Sequence, residues 1–300
     1  MRKLLIGCGV AAALVVVLLI AGGVFVTSWF KKQFPEAGQL EQRRTEMVQR
    51  FGRPESFVPP LEGVPAAARL ENFVALRESL VIQRDAAGAR LGSFVSEVQR
   101  GGSRERSFIT KVVDVVGKTE GGASMLSAML DYMGKRTRLQ LAAGMGEGEY
   151  DYLYALTTMA YLQWDPVTAG ADSSGLSHRD FRKQIAAQKF ELQAIFEQQL
   201  GNLQQELEKK TSRPADEEAM LAALCDELPA ARQKNVFPFA GRLPPHIATA
   251  LAPYESRLRA VLPQTVNGAF LDVLQVSENE RGVQFRWDAD HGKKTGVRVE

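Results

Sequence analysis

From Leu4 to Val26 the chain runs through 23 residues without one charged or strongly polar side chain. Helical at 1.5 Å per residue, such a run covers the roughly 30 Å of a bilayer's hydrocarbon with every backbone polar group bonded internally. A soluble core helix seldom needs that length. The run is therefore expected to be a single transmembrane anchor, residues 1–30, and to fix where the rest of the chain works.

Two other readings of the run are weaker. A cleaved secretory signal has an apolar region of about 7 to 15 residues ending at a small-residue site; Ala21-Gly22-Gly23 offers such a site, but the run continues past it. Leu5-Ile6-Gly7-Cys8 resembles a lipoprotein cleavage box, yet only seven residues precede Cys8, too few for a charged start and a separate apolar stretch. Past the run, Trp29 and Phe30 suit the headgroup level, and Lys31 and Lys32 reach water. Cations flank both ends. A short start of this kind stays cytoplasmic in a signal anchor, which places the bulk of the chain in the periplasm, on the outer side of a bacterial inner membrane.

Beyond residue 30 the charge is balanced. Of 37 Lys and Arg, only Arg2 and Lys3 precede residue 31, leaving 35 against 35 Asp and Glu. A neutral domain carries no electrostatic footprint for nucleic acid, and no such partner is expected. Cys225 is the one cysteine outside the run, so no intramolecular disulfide is expected there. The three histidines, His178, His246 and His291, lie far apart with no HExxH or CxxC spacing, and neither metal nor cofactor is expected. Asp288 to Gly292 begins like a calcium loop, but Val299 stands where the bidentate glutamate belongs.

Three parts are expected: the anchor, a juxtamembrane helix with a proline-rich spacer over 31–65, and a helical extracytoplasmic domain over 66–300. Pro35 ends the helix leaving the membrane, and Gln39 to Phe51 reads as a short charged helix. Pro54, Pro59, Pro60 and Pro65 make a semi-rigid spacer. In the domain, apolar residues recur at helical spacing over 66–84, and again in 93–99, 104–116 and 123–143. Gly88 and Gly92 weaken the first of these, Gly121-Gly122 marks a break, and 104–116 also suits a strand. Glu147 to Gln163 is apolar or aromatic nearly all round and belongs in the middle of a bundle. Ser177 and Asp180 resemble a capping box opening a helix to about Lys210, with a narrow apolar stripe and a distal half left for solvent or a partner. Pro214 opens a helix that Pro229 ends. Residues 270–276 stay open between helix and strand, and Val283 to Val299 between a small β-hairpin and an extended tail. The fold expected is mainly α, an irregular helical bundle.

Candidate chemistry is sparse. Glu147, Glu149 and Asp151 lead into the buried helix, where carboxylates serve either as acid and base in hydrolysis or as complements to the helix dipole. Tyr150, Tyr154 and Tyr161 share a face when projected at about 100° per residue, as a core stripe or a ligand pocket. Arg77 falls near 40° on a wheel with Phe73 at zero, inside the stripe of Leu70, Phe73, Val74, Leu80 and Val81. A guanidinium there requires a carboxylate, carbonyls or an anionic ligand, and Glu147, Glu149, Asp151 and Asp131 are the carboxylates considered. Cys225, beside Leu224, is expected to be buried packing. No GxSxG, P-loop or GxGxxG occurs. The leading reading is a membrane-anchored, non-enzymatic envelope module that binds a partner protein or lipid, with the long helix as contact element. The alternative is a membrane-tethered hydrolase working through Glu147, Glu149 or Asp151.

Overall fold

The computed structural model describes residues 35–100, 120–168 and 178–273. The anchor Leu4–Val26, the segment 104–116, the capping-box Ser177 and the C-terminal stretch 283–299 lie outside the described residues. Within them the chain is a helical bundle, with no strand. Among the described residues no helix is long and apolar enough to cross a membrane.

Helix α1 (Pro35–Phe51) starts at the proline expected to end a helix; proline in a first turn gives up only an N–H that has no intrahelical partner. It stops at Gly52, whose φ of +82° suits glycine, and whose N–H returns to Val48 at 2.9 Å. Leu40 and Met47, two turns apart, are buried against the bundle. The stretch expected to stand off as helix and spacer therefore packs on the domain. A 3₁₀ turn, Pro54–Ser56, follows. In the spacer Pro59, Gly63 and Pro65 are all buried, and the Tyr152 hydroxyl donates to the Gly63 carbonyl at 2.5 Å.

Helix α2 (Ala67–Arg100) runs unbroken through Gly88 and Gly92. Both glycines are contact points rather than weak points. A Cβ on Gly88 would stand 3.1 Å from the Gly268 nitrogen, and one on Gly92 2.6 Å from Asn267 Nδ2. Helix α3 (Glu120–Ala142) contains Gly121 and Gly122 instead of beginning after them, and buries Met125, Leu126, Met129, Leu130 and Met133. Helix α4 (Glu147–Tyr154) continues as a π-helix over Ala155–Tyr161. Every residue from Tyr150 to Ala160 is buried, as an all-round apolar helix requires.

The long helix α5 (His178–Lys209) corrects the expectation of a free distal half. Leu200, Leu203 and Leu207 are fully buried along with Phe196, and α6 (Ala215–Lys234), carrying buried Met220 and Leu224, packs against this helix. Helix α6 passes through Pro229 rather than ending there. Pro229 faces solvent, where water can satisfy the carbonyl that its missing N–H leaves open. The stop comes at Asn235, left-handed at φ +50°. Cys225 is exposed, not buried; it lies about 100° from Leu224 on the wheel, off the stripe of Met220, Leu224 and Ala231. Short helices α7 (Pro245–Leu251), α8 (Glu255–Ala260) and α9 (Val266–Val273) close the described chain. The segment left open between helix and strand is helical through Val273, and α9 wedges between α2 and α5.

Candidate functional site

The centre of the bundle is polar. Arg77, in the middle of the apolar face of α2, is 3 % exposed. Its two terminal nitrogens each donate to one oxygen of Asp272 on α9 at 2.6 Å. Its guanidinium lies 4.8 Å from the Tyr154 ring centroid, and the Tyr154 hydroxyl donates to Asp272 Oδ2 at 3.1 Å. Arg84, two turns along α2, donates to the Val261 carbonyl at 2.5 Å and stands 3.8 Å from Asp272. Burial opposes the Arg77 charge, but Asp272 with the Tyr150 and Tyr154 oxygens outweighs it and holds the guanidinium more firmly protonated than in water. The partner is none of the four carboxylates the sequence suggested. Asp272 carried the same signature as Arg77, a lone charge in an apolar run, Ala269-Phe270-Leu271-Asp272.

The tyrosines divide. Tyr150 and Tyr154 stack at 6.4 Å between centroids, with Phe73 at 5.4 Å from Tyr150. Arg136 of α3 lies 4.4 Å over the Tyr150 ring. Tyr161 stays apart, half-exposed, its hydroxyl donating to Glu255 at 3.0 Å. The projection at 100° assumed an α-helix throughout, and the wider π turn from Ala155 on rotates Tyr161 off that face.

The three carboxylates of α4 each meet an arginine. Glu149 is gripped by Arg69, which also donates to the Ala143 and Gly144 carbonyls at 3.0 and 3.1 Å and so ties the end of α3 to the start of α4. Glu147 lies 4.0 Å from Arg44 of α1. Asp151, its side chain 4 % exposed, is 3.5 Å from Arg136. Burial, reinforced by Glu147 and opposed by Arg136, raises the Asp151 carboxyl well above the ordinary carboxylate range. A general acid or base must come within about 3 Å of its substrate, and Asp151 offers almost no surface to one. Among the described residues no group of His, Cys, Asp and Glu is arranged to hold a metal ion.

An open groove of about 950 Å³ lies elsewhere, between the outer face of α5 and the segment 53–58. Arg53, Val58, Glu191, Ile195, Asn202 and Glu206 are among its walls. Its second wall is fixed from below. Asn202 donates to the Glu55 and Phe57 carbonyls at 2.9 and 3.3 Å, and Gln199 to those of Pro54 and Gly148 at 2.8 and 2.9 Å. Sequence reading pointed to α5 as a contact element, but the wall supplied by 53–58 has no signature in residue spacing. No protein-family model, no curated protein and no solved structure matches the chain.

Proposed function

We propose that this protein is a membrane-anchored, non-enzymatic binding module of a bacterial envelope. The run Leu4–Val26 holds it in the inner membrane, the bulk of the chain lies outside the cytoplasm, and a partner engages the outer face of α5. The observation that carries this reading is the groove along α5, a preformed concave surface of the size that binding sites have. The buried polar centre supports it too, because its arginines are saturated by Asp272, Val261 and Asp151 and serve the fold.

The alternative is a membrane-tethered hydrolase, and one observation favours it: Asp151 is held protonated beside Glu147, as a general acid would be. Against it stand the arginine partners of all three carboxylates and the burial of Asp151.

Site-specific photocrosslinking in cells tests the main reading. With the full chain, a benzoylphenylalanine at Gln198 in the groove is expected to give a discrete adduct, and one at Ser79 on the exposed side of α2 none. Equal labelling at both sites, or none at Gln198, overturns it. An alkaline phosphatase fused after Glu300 should be active; a silent fusion overturns the orientation.

A further inference from the structure

The groove's chemistry narrows what can occupy it, given the reading that α5 is the contact face. From α5 the lining residues are Glu191, Ala194, Ile195, Gln198, Asn202 and Gln205, with Glu206 at the end. Their steps of three and four residues trace a stripe roughly 22 Å long, the stagger by which one helix seats along another. Small and polar side chains dominate it, which permits close approach. The rims are apolar. Four large hydrophobic residues are exposed among the described residues, and three adjoin this face of the molecule. Val58 lines the groove, Phe190 precedes Glu191 on α5 and is 58 % exposed, and Val236 accepts through its carbonyl from Gln193, one turn beyond Phe190.

Charge supplies the direction. Glu55, Glu191 and Glu206 line the groove against Arg53. Glu206 is met by Lys209 at 2.6 Å. Glu191 is half-buried, and no ion pair or hydrogen bond satisfies its side chain among the described residues. Burial alone raises its carboxyl above the ordinary range. A partly desolvated, unpaired carboxylate is unfavourable in the free protein and becomes favourable when a cation seats on it.

We propose that the groove receives a basic amphipathic helix of a partner polypeptide, one that sets a Lys or Arg on Glu191 and packs its apolar side against Phe190, Ile195 and Val58. An anionic lipid surface is disfavoured by the carboxylates, and phosphate-bearing ligands for the same reason.

The probe is a fluorescein-labelled synthetic helix of roughly five turns carrying Leu and Lys at three- and four-residue steps, titrated onto the full chain in phosphatidylcholine nanodiscs. Its charge-reversed twin has Glu for every Lys. The basic peptide should bind in a salt-sensitive manner, and the twin should not. Glu191→Gln and Phe190→Ser should each weaken binding about tenfold, roughly one decade of Kd, whereas Asp226→Asn, an exposed carboxylate on α6, should change nothing. Glu191→Lys should reverse the preference and capture the acidic twin. Melting by circular dichroism checks that each variant folds, and removing an unpaired charge makes Glu191→Gln at least as stable as the parent. Equal binding to the parent and to Glu191→Gln overturns the proposal, as does equal binding of both peptides. So does binding to empty phosphatidylglycerol vesicles that adding the protein does not increase. If the peptide result is negative while the Gln198 crosslink is positive, the basic helix falls and the α5 reading stands; if both are negative, both fall.

Discussion

Arg77 and Asp272 form a two-pronged buried ion pair, nitrogen to oxygen 2.6 Å on both prongs, between residues 195 positions apart. It locks the last described helix, α9, onto α2, and the glycine pair beside it makes the approach possible: Gly88 faces the backbone of Gly268. Neither charge can be left alone in this interior. Removing one partner of a buried pair costs about 3 to 5 kcal/mol, most of it the penalty on the orphan. Arg77→Met and Asp272→Asn are therefore each expected to lower stability by that amount in urea titration of the full chain. Changes too small to measure would show that water reaches the pair.

Double substitution should cost less than the sum of the two. Once Arg77 is Met, the Asp272 carboxylate has only Arg84 at 3.8 Å and the Tyr154 hydroxyl, and replacing it removes a group already poorly satisfied. The expected coupling in a double-mutant cycle is about 1 to 3 kcal/mol. Additive losses would mean that the two residues act independently.

The sequence already contained half of this arrangement. A charge amid apolar residues at helical spacing marks a buried cation whatever its partner, so Arg77 was recognisable from α2 alone. Its partner was not, because pairing across 195 positions leaves no trace in local spacing. Helices with strong 3.6-residue periodicity were legible for the same local reason. The misreadings share another cause, the assumption that a residue acts on its own element. Gly88 and Gly92 look like helix weakeners until α9 is packed on them, Pro229 looks like a stop until its face proves to be solvent, and Tyr161 leaves its predicted face through a π turn. The groove needs residues from 53–58 and α5 together, and its second wall was hidden in a stretch read as spacer.

Two helix glycines should respond in opposite directions to alanine. A Cβ on Gly148 would stand 2.8 Å from the Pro54 carbonyl oxygen and 2.7 Å from Phe57 Cβ, so the 53–58 wall must shift. Overpacking of this kind costs about 1 to 3 kcal/mol, and Gly148→Ala should destabilise despite its better helix propensity. Gly201, inside α5, has nothing within 4 Å of its Cβ position. There Gly201→Ala should stabilise by roughly 0.5 to 1 kcal/mol. Thermal melting of the two variants decides the matter, and a stabilised Gly148→Ala would place the 53–58 segment farther from α4 than described.

Cys225 is exposed on α6, with the Gln204 amide 3.8 Å from its sulfur. In a Cys8→Ser background, a maleimide should label one thiol per chain in the native state at a rate close to that after denaturation. Protection until unfolding would mean that something covers this side of α6.

Asp151 makes the stability of the fold depend on pH in an unusual direction. Burial, then Glu147, push its carboxyl up, and Arg136 at 3.5 Å opposes them without prevailing. The folded chain therefore holds this proton more tightly than the unfolded chain does. Unfolding free energy changes with pH as the protons bound unfolded minus those bound folded, which for this group is negative. Its contribution is complete below the unfolded value of about 3.9 and is lost as pH rises through the folded value. Glu78, whose carboxyl is lowered by its hydrogen bond to Arg257, acts in the opposite sense, but it is common to both proteins in a comparison of parent with Asp151→Asn. The variant mimics the protonated form and cannot titrate. Its stability relative to the parent should rise from about pH 4 to about pH 8, by on the order of 1 kcal/mol or more, measured as the difference between urea midpoints scaled by a shared slope. A difference that stays constant would show that Asp151 titrates as it does unfolded. If the variant instead loses ground as pH rises, Arg136 prevails and Asp151 is an ordinary salt-bridged carboxylate.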